Sequence, residues 1–470
     1  MTADDGKNWK NVTSAMTGFP EWGTVSLIEP SPFDANTAYV VVDAHRLDNM
    51  HPFLFKTTDM GKTWKRLDGS LAGNVYLHAV REDPKRRGQL YLGTERGVQF
   101  STDDGQTWKP LGLNMPTVAV HDVVVKDDNL VVATHGRSLW ILDDLGPIRE
   151  YTDTIAAEPL HLFAPTTATR WRYGSNNWGT RGTFSNPPHG AAIYYSLKDE
   201  EKSDLKIEIV DGQGRVVRTL SSTPPEPMGS DDNEDPEDFK SQALKRDAGI
   251  QRAVWDLRYE GARKIKNARI DTGDPRTGPR VAPGTYTVKL TAGGKTLTAP
   301  LTVLPDPRGD LSQTDLEAQA AFAVRVRDDV SKLTDLVNQL RSVQEQLKAR
   351  NTALAPRKAD AGVADLIGES EAAIRKAFAI EDKLHNPTAE VVYDILAMRG
   401  GARLYSRLSP LQMWALESNG TPTAGMTQVL AEQERELASL ASETKQFLSG
   451  DVGKINKGAT QLGLPFVIIK

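Results

Sequence analysis

The sequence predicts a multidomain, mainly β protein with an α-helical carboxyl terminus, and three observations carry that expectation. One eight-residue phrase occurs three times before residue 110. Short β-rich runs separated by turn residues fill most of the stretch to residue 305, the texture of antiparallel strands. After Pro305 and Pro307 the alphabet changes to Ala, Leu, Glu, Gln, Lys and Arg with apolar residues three and four apart, the texture of helices.

The repeated phrase is Thr2-Ala3-Asp4-Asp5-Gly6-Lys7-Asn8-Trp9, then Thr57-Thr58-Asp59-Met60-Gly61-Lys62-Thr63-Trp64, then Ser101-Thr102-Asp103-Asp104-Gly105-Gln106-Thr107-Trp108. In the pattern [ST]-x-D-x-G-x-x-W the carboxylates of Asp4, Asp59 and Asp103 accept from backbone N–H groups of their own turns. Gly6, Gly61 and Gly105 supply a geometry other residues resist, and Trp9, Trp64 and Trp108 cap the hairpins from below. The tryptophans stand 55 and 44 positions apart, a period that suits one four-stranded propeller blade per repeat.

Residues 1–147 therefore read as a partial β-propeller of about three blades, the last lacking the phrase and ending at Asp143-Asp144. Closed propellers usually need about four to eight blades. Only Met1 precedes the first turn, so the sequence reads as the carboxyl-terminal part of a longer protein. Residues 148–186, with Trp171 and Trp178, form a connector too aromatic for a free linker.

From residue 187 to 305 the strands resume at Ala191 to Leu197, Leu205 to Val210, Val216 to Leu220, Gln251 to Asp256, Thr285 to Leu290 and Leu297 to Val303, the pattern of an antiparallel sandwich. Trp255 is expected in its core, and the acidic stretch 224–238 is expected as a solvated loop. Residues 306–470 read as an antiparallel helical hairpin or bundle. Its seam runs through Val326, Val330, Leu333, Val337, Leu340 and Leu347 and is broken only by Gln344. Thr421-Pro422 is expected to start the last long helix. The seam also offers a surface for helix-mediated self-association.

The three phrases resemble the Asp-box, or bacterial neuraminidase repeat, of sialidases, some glucan-cleaving glycoside hydrolases and sortilin-type receptors. That resemblance implies a propeller, with the repeats on its periphery and ligands at its centre. The runs Ile207 to Arg218, Trp255-Asp256-Leu257-Arg258 and Pro283-Gly284-Thr285-Tyr286 resemble the Ig-like domain of flagellar hook-capping proteins. The whole order of domains, with the phrases Tyr39 to Asp48, Ala133 to Arg137 and Asn186 to Ala191, resembles large exported bacterial proteins of the glycosyl-hydrolase-like and sortilin-like group. The resemblance implies an extracytoplasmic location, although the chain shows no signal peptide, since Met1 leads directly into Asp4 and Asp5.

Composition narrows the chemistry. A net charge of −5 without a basic stripe argues against nucleic acid, no run is apolar enough to span a membrane, and the absence of cysteine excludes thiol chemistry and zinc-thiolate sites. The eight histidines show no HxH or HExxH grouping, so no metal and no cofactor is expected.

The polar loop 43–51 is the first site candidate, with His45 and Asp48 suited to acid-base work and Arg46 to gripping a carboxylate. Glu95 and Arg96 occupy a strand-to-strand turn one blade on, and His135 and Arg137 occupy the equivalent turn of the next. Equivalent turns share a propeller face, so Arg46, Glu95, Arg96, His135 and Arg137 are expected on one polar rim able to hold an anionic or sugar ligand, and all seven residues are candidates for engaging a glycan or protein ligand. The function expected is non-catalytic ligand binding. The alternatives are a glycoside hydrolase with its carboxylates partly on blades outside this sequence, and a sortilin-like peptide receptor or assembly factor.

Overall fold

The computed structural model describes residues 1–2, 4–172, 189–223, 243–270, 272–390, 394–395, 400–417 and 420–469. Trp178, the phrase 186–188, the acidic stretch 224–238 and most of residues 391–398 lie outside the described residues. The chain divides into two compact units, Met1–Ala157 and Glu158–Lys470.

The first unit is a succession of three antiparallel sheets. β1 (Thr24–Pro30), β2 (Ala38–Asp43), β3 (Phe53–Thr57) and β4 (Lys65–Arg66) pair in chain order, as do β5 (Leu77–Glu82), β6 (Leu90–Thr94), β7 (Gly97–Ser101) and β8 (Lys109–Pro110). β9 (Val120–Lys126), β10 (Asn129–Thr134) and β11 (Leu139–Leu142) form the third sheet, and two short helices, α1 (Gly146–Glu150) and α2 (Asp153–Ala157), end the unit.

Period-two alternation explains why the middle strands are buried on both faces. In β2, Tyr39 and Val41 enter a core shared with Leu77, Val80, Leu90 and Leu92 of the second sheet. Val40 and Val42 point the other way, onto Met16, Phe53 and Phe55. Tyr91 of β6 enters the next core, with Val120, Val123, Leu130 and Val132 of the third sheet. The far face of the third sheet carries the exposed Val124, Leu139 and Ile141.

The three repeated turns make one set of bonds. Thr2, Thr57 and Ser101 each donate a hydroxyl to the Asp two residues on, at 2.9, 2.9 and 2.7 Å, and accept from the Gly N–H four residues on, at 2.9, 2.8 and 2.9 Å. The same Asp accepts the backbone N–H of Asn8, Thr63 or Thr107, each at 2.9 Å. These bonds stabilise the ionised carboxylate and lower the Asp59 pKa to about 2, the Thr63 hydroxyl contributing most. Gly6, Gly61 and Gly105 have φ of +85°, +78° and +77°, in the left-handed region. The tryptophans differ in fate. Trp9 is 74% exposed and Trp64 is half-buried, each donating its indole N–H to its own turn glycine, whereas Trp108 is buried and donates to Leu67 O at 2.8 Å. Trp108 thus reaches back to the sheet before its turn, whereas Trp9 and Trp64 bond within their own turns.

In the second unit β12 (Leu160–Leu162), β14 (Ala191–Leu197) and β17 (Gly249–Trp255) form one sheet. β13 (Ala168–Thr169), β15 (Lys206–Val210), β16 (Val216–Ser221), β18 (Gly284–Ala292) and β19 (Lys295–Leu304) form the other, in the order β13-β19-β18-β15-β16. The sheets share one core around Ile193, Tyr195, Ile207, Val288, Leu301 and Trp255. Part of the expected connector is thus sandwich: Leu160, Leu162 and Phe163 are buried, and β12 and β13 extend the two sheets.

The helices follow as α3 (Gln313–Leu354), α4 (Val363–Leu384), α5 (Leu404–Glu417), α6 (Ala424–Phe447) and α7 (Gly453–Gln461). α3 opens on a capping box between Ser312 and Asp315, and its apolar seam is buried along its length. α6 is capped by Thr423, whose backbone is extended and whose hydroxyl accepts from Met426 N at 3.2 Å, and not by Thr421, because the helical backbone begins only at Ala424. The helical core also takes in Ala262, Ile265 and Ala268 from the long segment between β17 and β18. No helix among the described residues is long and apolar enough to cross a membrane.

Candidate functional site

The first strands of the three sheets carry the site. Arg81 of β5 binds them together, donating to Glu29 of β1 at 3.1 Å and to Asp122 of β9 at 3.0 Å. Each of these strands slips register at the same place. Val25 faces Val42 while Leu27 faces Val41, Leu77 faces Thr94 while Ala79 faces Gly93, and Val120 faces Thr134 while Asp122 faces Ala133. The residues passed over are Ser26, His78 and His121. A bulge re-aims the side chain of the extra residue, and here two of the three are imidazoles.

The outcome is a continuous row of five rings across the three sheets. His45 stacks on Tyr76 with centroids 4.5 Å apart, and Tyr76 meets His78 edge-on at 5.2 Å. His78 lies 4.3 Å from His121, which lies 4.8 Å from His135. Two carboxylates orient the row. Asp43 Oδ2 is 2.6 Å from His45 Nδ1, and Glu95 Oε2 is 3.1 Å from His78 Nε2. The Tyr76 hydroxyl also lies near the Glu95 carboxylate.

The electrostatics follow from these contacts. Burial and the hydrogen bond to Glu95 push the Tyr76 hydroxyl up to about 12. Burial alone would raise Glu95, but the bonds from Tyr76 and His78 outweigh it and hold the carboxyl below its ordinary value. His121 is lowered, first by burial and then by the neighbouring His78 and His135, so its ring stays neutral at neutral pH. A row of flat rings flanked by two carboxylates suits stacking against the apolar face of a sugar or an aromatic side chain while accepting hydrogen bonds from its polar edge.

Of the seven candidate ligand-binding residues, the structure brings His45, Glu95 and His135 together along this row, so of the five expected on one rim only Glu95 and His135 meet there. Arg46, Asp48, Arg96 and Arg137 are exposed, and among the described residues none of their side chains bonds to the row. Sequence reasoning missed Tyr76, His78 and His121. No three His, Asp or Glu among the described residues are grouped to hold a metal ion.

No family model matches the sequence, and no curated protein does. Among solved structures the chain is similar to the GH74 enzyme of Niastella koreensis, with 14% identity and a TM-score of 0.23 over 59% of this chain and 46% of that one. An ancestral GH74 enzyme gives 14% and 0.19 over 60% and 35%, and YCF48 bound to D1 peptide gives 11% and 0.20 over 59% and 66%. The chain thus spans under half the length of either GH74 enzyme.

One glycine controls how closely the second and third sheets approach. A Cβ at Gly93 would stand 2.7 Å from Val120 O, next to His121. Gly93→Ala is expected to cost about 1–3 kcal/mol by forcing these backbones apart, read as a lower urea midpoint of the full chain.

Proposed function

We propose that the first unit is part of a β-propeller, about three blades long, and that the inner edge of its sheets binds a glycan or protein ligand without catalysis. The observation that carries this reading is the five-ring row, because it crosses all three sheets and is held by Asp43 and Glu95. The repeated turns support an Asp-box assignment, and the Asp-box resemblance supports an extracytoplasmic place of action. Two sheets sharing one core support an Ig-like sandwich within the second unit.

A hydrolytic alternative has one observation in its favour: burial raises the Glu29 carboxyl above its ordinary value, against the nearby Arg81. Arg81 also bonds Asp122, so the two carboxylates share one cation.

The test titrates a panel of oligosaccharides and peptides against the full chain by calorimetry. His78→Ala and His121→Ala should each weaken binding roughly tenfold, the loss of one stacked ring at about 1–1.5 kcal/mol, while Arg46→Ala and Arg137→Ala change it little. Binding that survives both histidine substitutions would remove the row from the function. Turnover of chromogenic glycosides that is lost in Glu29→Gln would replace the non-catalytic reading.

A further inference from the structure

The second unit holds an open cavity of about 1320 Å³ into which three arginines from separate segments converge. Arg170 follows β13, Arg258 follows β17, and Arg280 precedes β18. Their partners are neutral. Arg170 Nη2 donates to Gln319 Oε1 at 2.7 Å, Arg258 Nη1 to Gly278 O at 2.8 Å, and Arg280 Nη1 to Trp171 O at 3.3 Å. Arg170 is 8% exposed, and its Nε has no partner among the described residues. Among those residues no carboxylate forms an ion pair with any of the three, whereas Arg263, Arg341 and Arg403 elsewhere in the unit are each paired with one.

This arrangement works against stability. Arg258 and Arg280 face each other across an isolated antiparallel bridge, and like charges directly opposite repel. Burial, then Arg280 and Arg258, pull Arg170 down to about 10, and burial followed by Arg258 lowers Arg280. All three remain cationic at neutral pH. The backbone is shaped to keep them close: a Cβ at Gly278 would lie 1.8 Å from Tyr259 O, and one at Gly261 would lie 1.9 Å from Arg276 O. The acids on the wall form their ion pairs elsewhere, although the charge of Asp306 favours the Arg280 cation from a distance. Asp306 is paired with Arg308 at 2.6 Å and Asp274 with Arg276 at 3.0 Å, while Asp310 and Glu417 are exposed.

We infer that this cavity is a binding site for a small organic anion carrying two or more negative charges, on phosphate or carboxylate groups. Planar guanidinium forks match both groups bidentately, and three cations without a direct ion pair among the described residues call for more than one charge. The volume exceeds what inorganic phosphate alone would fill, and Leu316, Met413 and Leu416 give the rest of the ligand an apolar wall.

Calorimetry of the full chain at fixed ionic strength, with pyrophosphate and citrate as probes, tests the site. At least one should bind with Kd at or below about 1 mM, and Arg280→Gln should weaken it at least about tenfold. Arg170→Met should do the same while raising the ligand-free melting temperature, because an unpaired buried cation is removed. Arg263→Gln, at a paired arginine outside the cavity, is the control expected to bind like the parent. Far-UV circular dichroism checks that each variant is folded. Should Arg170→Met not fold, Arg280→Lys decides, since it keeps the charge and loses the fork. Tighter pyrophosphate assigns the ligand to phosphates, and tighter citrate to polycarboxylates. Failure of both probes to bind, or binding unchanged in the Arg280 variants, overturns the proposal.

Discussion

Trp255→Ala is expected to lower the stability of the second unit by about 3–5 kcal/mol, a large part of the roughly 5–15 kcal/mol that holds a typical domain together. Trp255 is fully buried at the end of β17, edge-on to Tyr286 with ring centroids 5.2 Å apart. Its cross-strand partner is Ala191, a side chain too small to fill the space an alanine at 255 would leave. The indole N–H donates to Arg258 O at 2.9 Å, so the same ring anchors the segment that carries Arg258 to the cavity. Trp255→Phe keeps most of the apolar volume and loses that bond, and is expected to cost about 1–2 kcal/mol. Urea denaturation of both variants measures the difference. A cost below about 1 kcal/mol for the alanine would mean that the core closes over the gap.

What could be read from the sequence divides along a physical line. The repeated turns were legible because every bond that makes them falls within eight residues, from Thr57 to Trp64 for example. The burial of Trp108 and the exposure of Trp9 were not, since they depend on whether a sheet precedes the turn. His45, Glu95 and His135 drew attention because they stand in polar loops. Tyr76, His78 and His121 did not, because they stand on or beside strands, and the bulges that turn His78 and His121 outward exist only once register is set. A signal was present: Tyr76-Leu77-His78-Ala79 and Ala119-Val120-His121-Asp122 place a histidine after an apolar residue at the start of equivalent strands. The cavity arginines gave no such signal, being spread from 170 to 280 and gathered only by strand pairing across the sandwich.

The break in the helical seam at Gln344 also has its explanation in three dimensions, and it leads to the second large effect. Gln344 is buried and donates to Glu381 Oε2 of α4 at 2.9 Å. Glu381 is 3% exposed and also takes Arg341 Nε at 2.7 Å and His385 Nε2 at 2.9 Å. Burial alone would raise its carboxyl, but the bonds from His385 and Arg341 and the charge of Arg341 overcome it and bring the pKa from 4.5 to about 2. A carboxyl whose folded value is depressed stabilises the fold above its unfolded value. That contribution is in full force above about pH 4.5 and is lost as pH falls through 4.5 towards 2, amounting to about 3 kcal/mol at neutral pH. Glu381→Gln presents an amide to three donors, so it should cost about that much at pH 7 and flatten the decline of stability between pH 4.5 and 3. Glu381→Ala leaves the Arg341, Gln344 and His385 donors facing a cavity and should cost about 3–5 kcal/mol. Urea denaturation at pH 7, 4.5 and 3 separates the two contributions. Parallel pH curves for the parent and Glu381→Gln would show that the carboxylate is not what the fold loses in acid, and that the polar break in the seam serves packing alone.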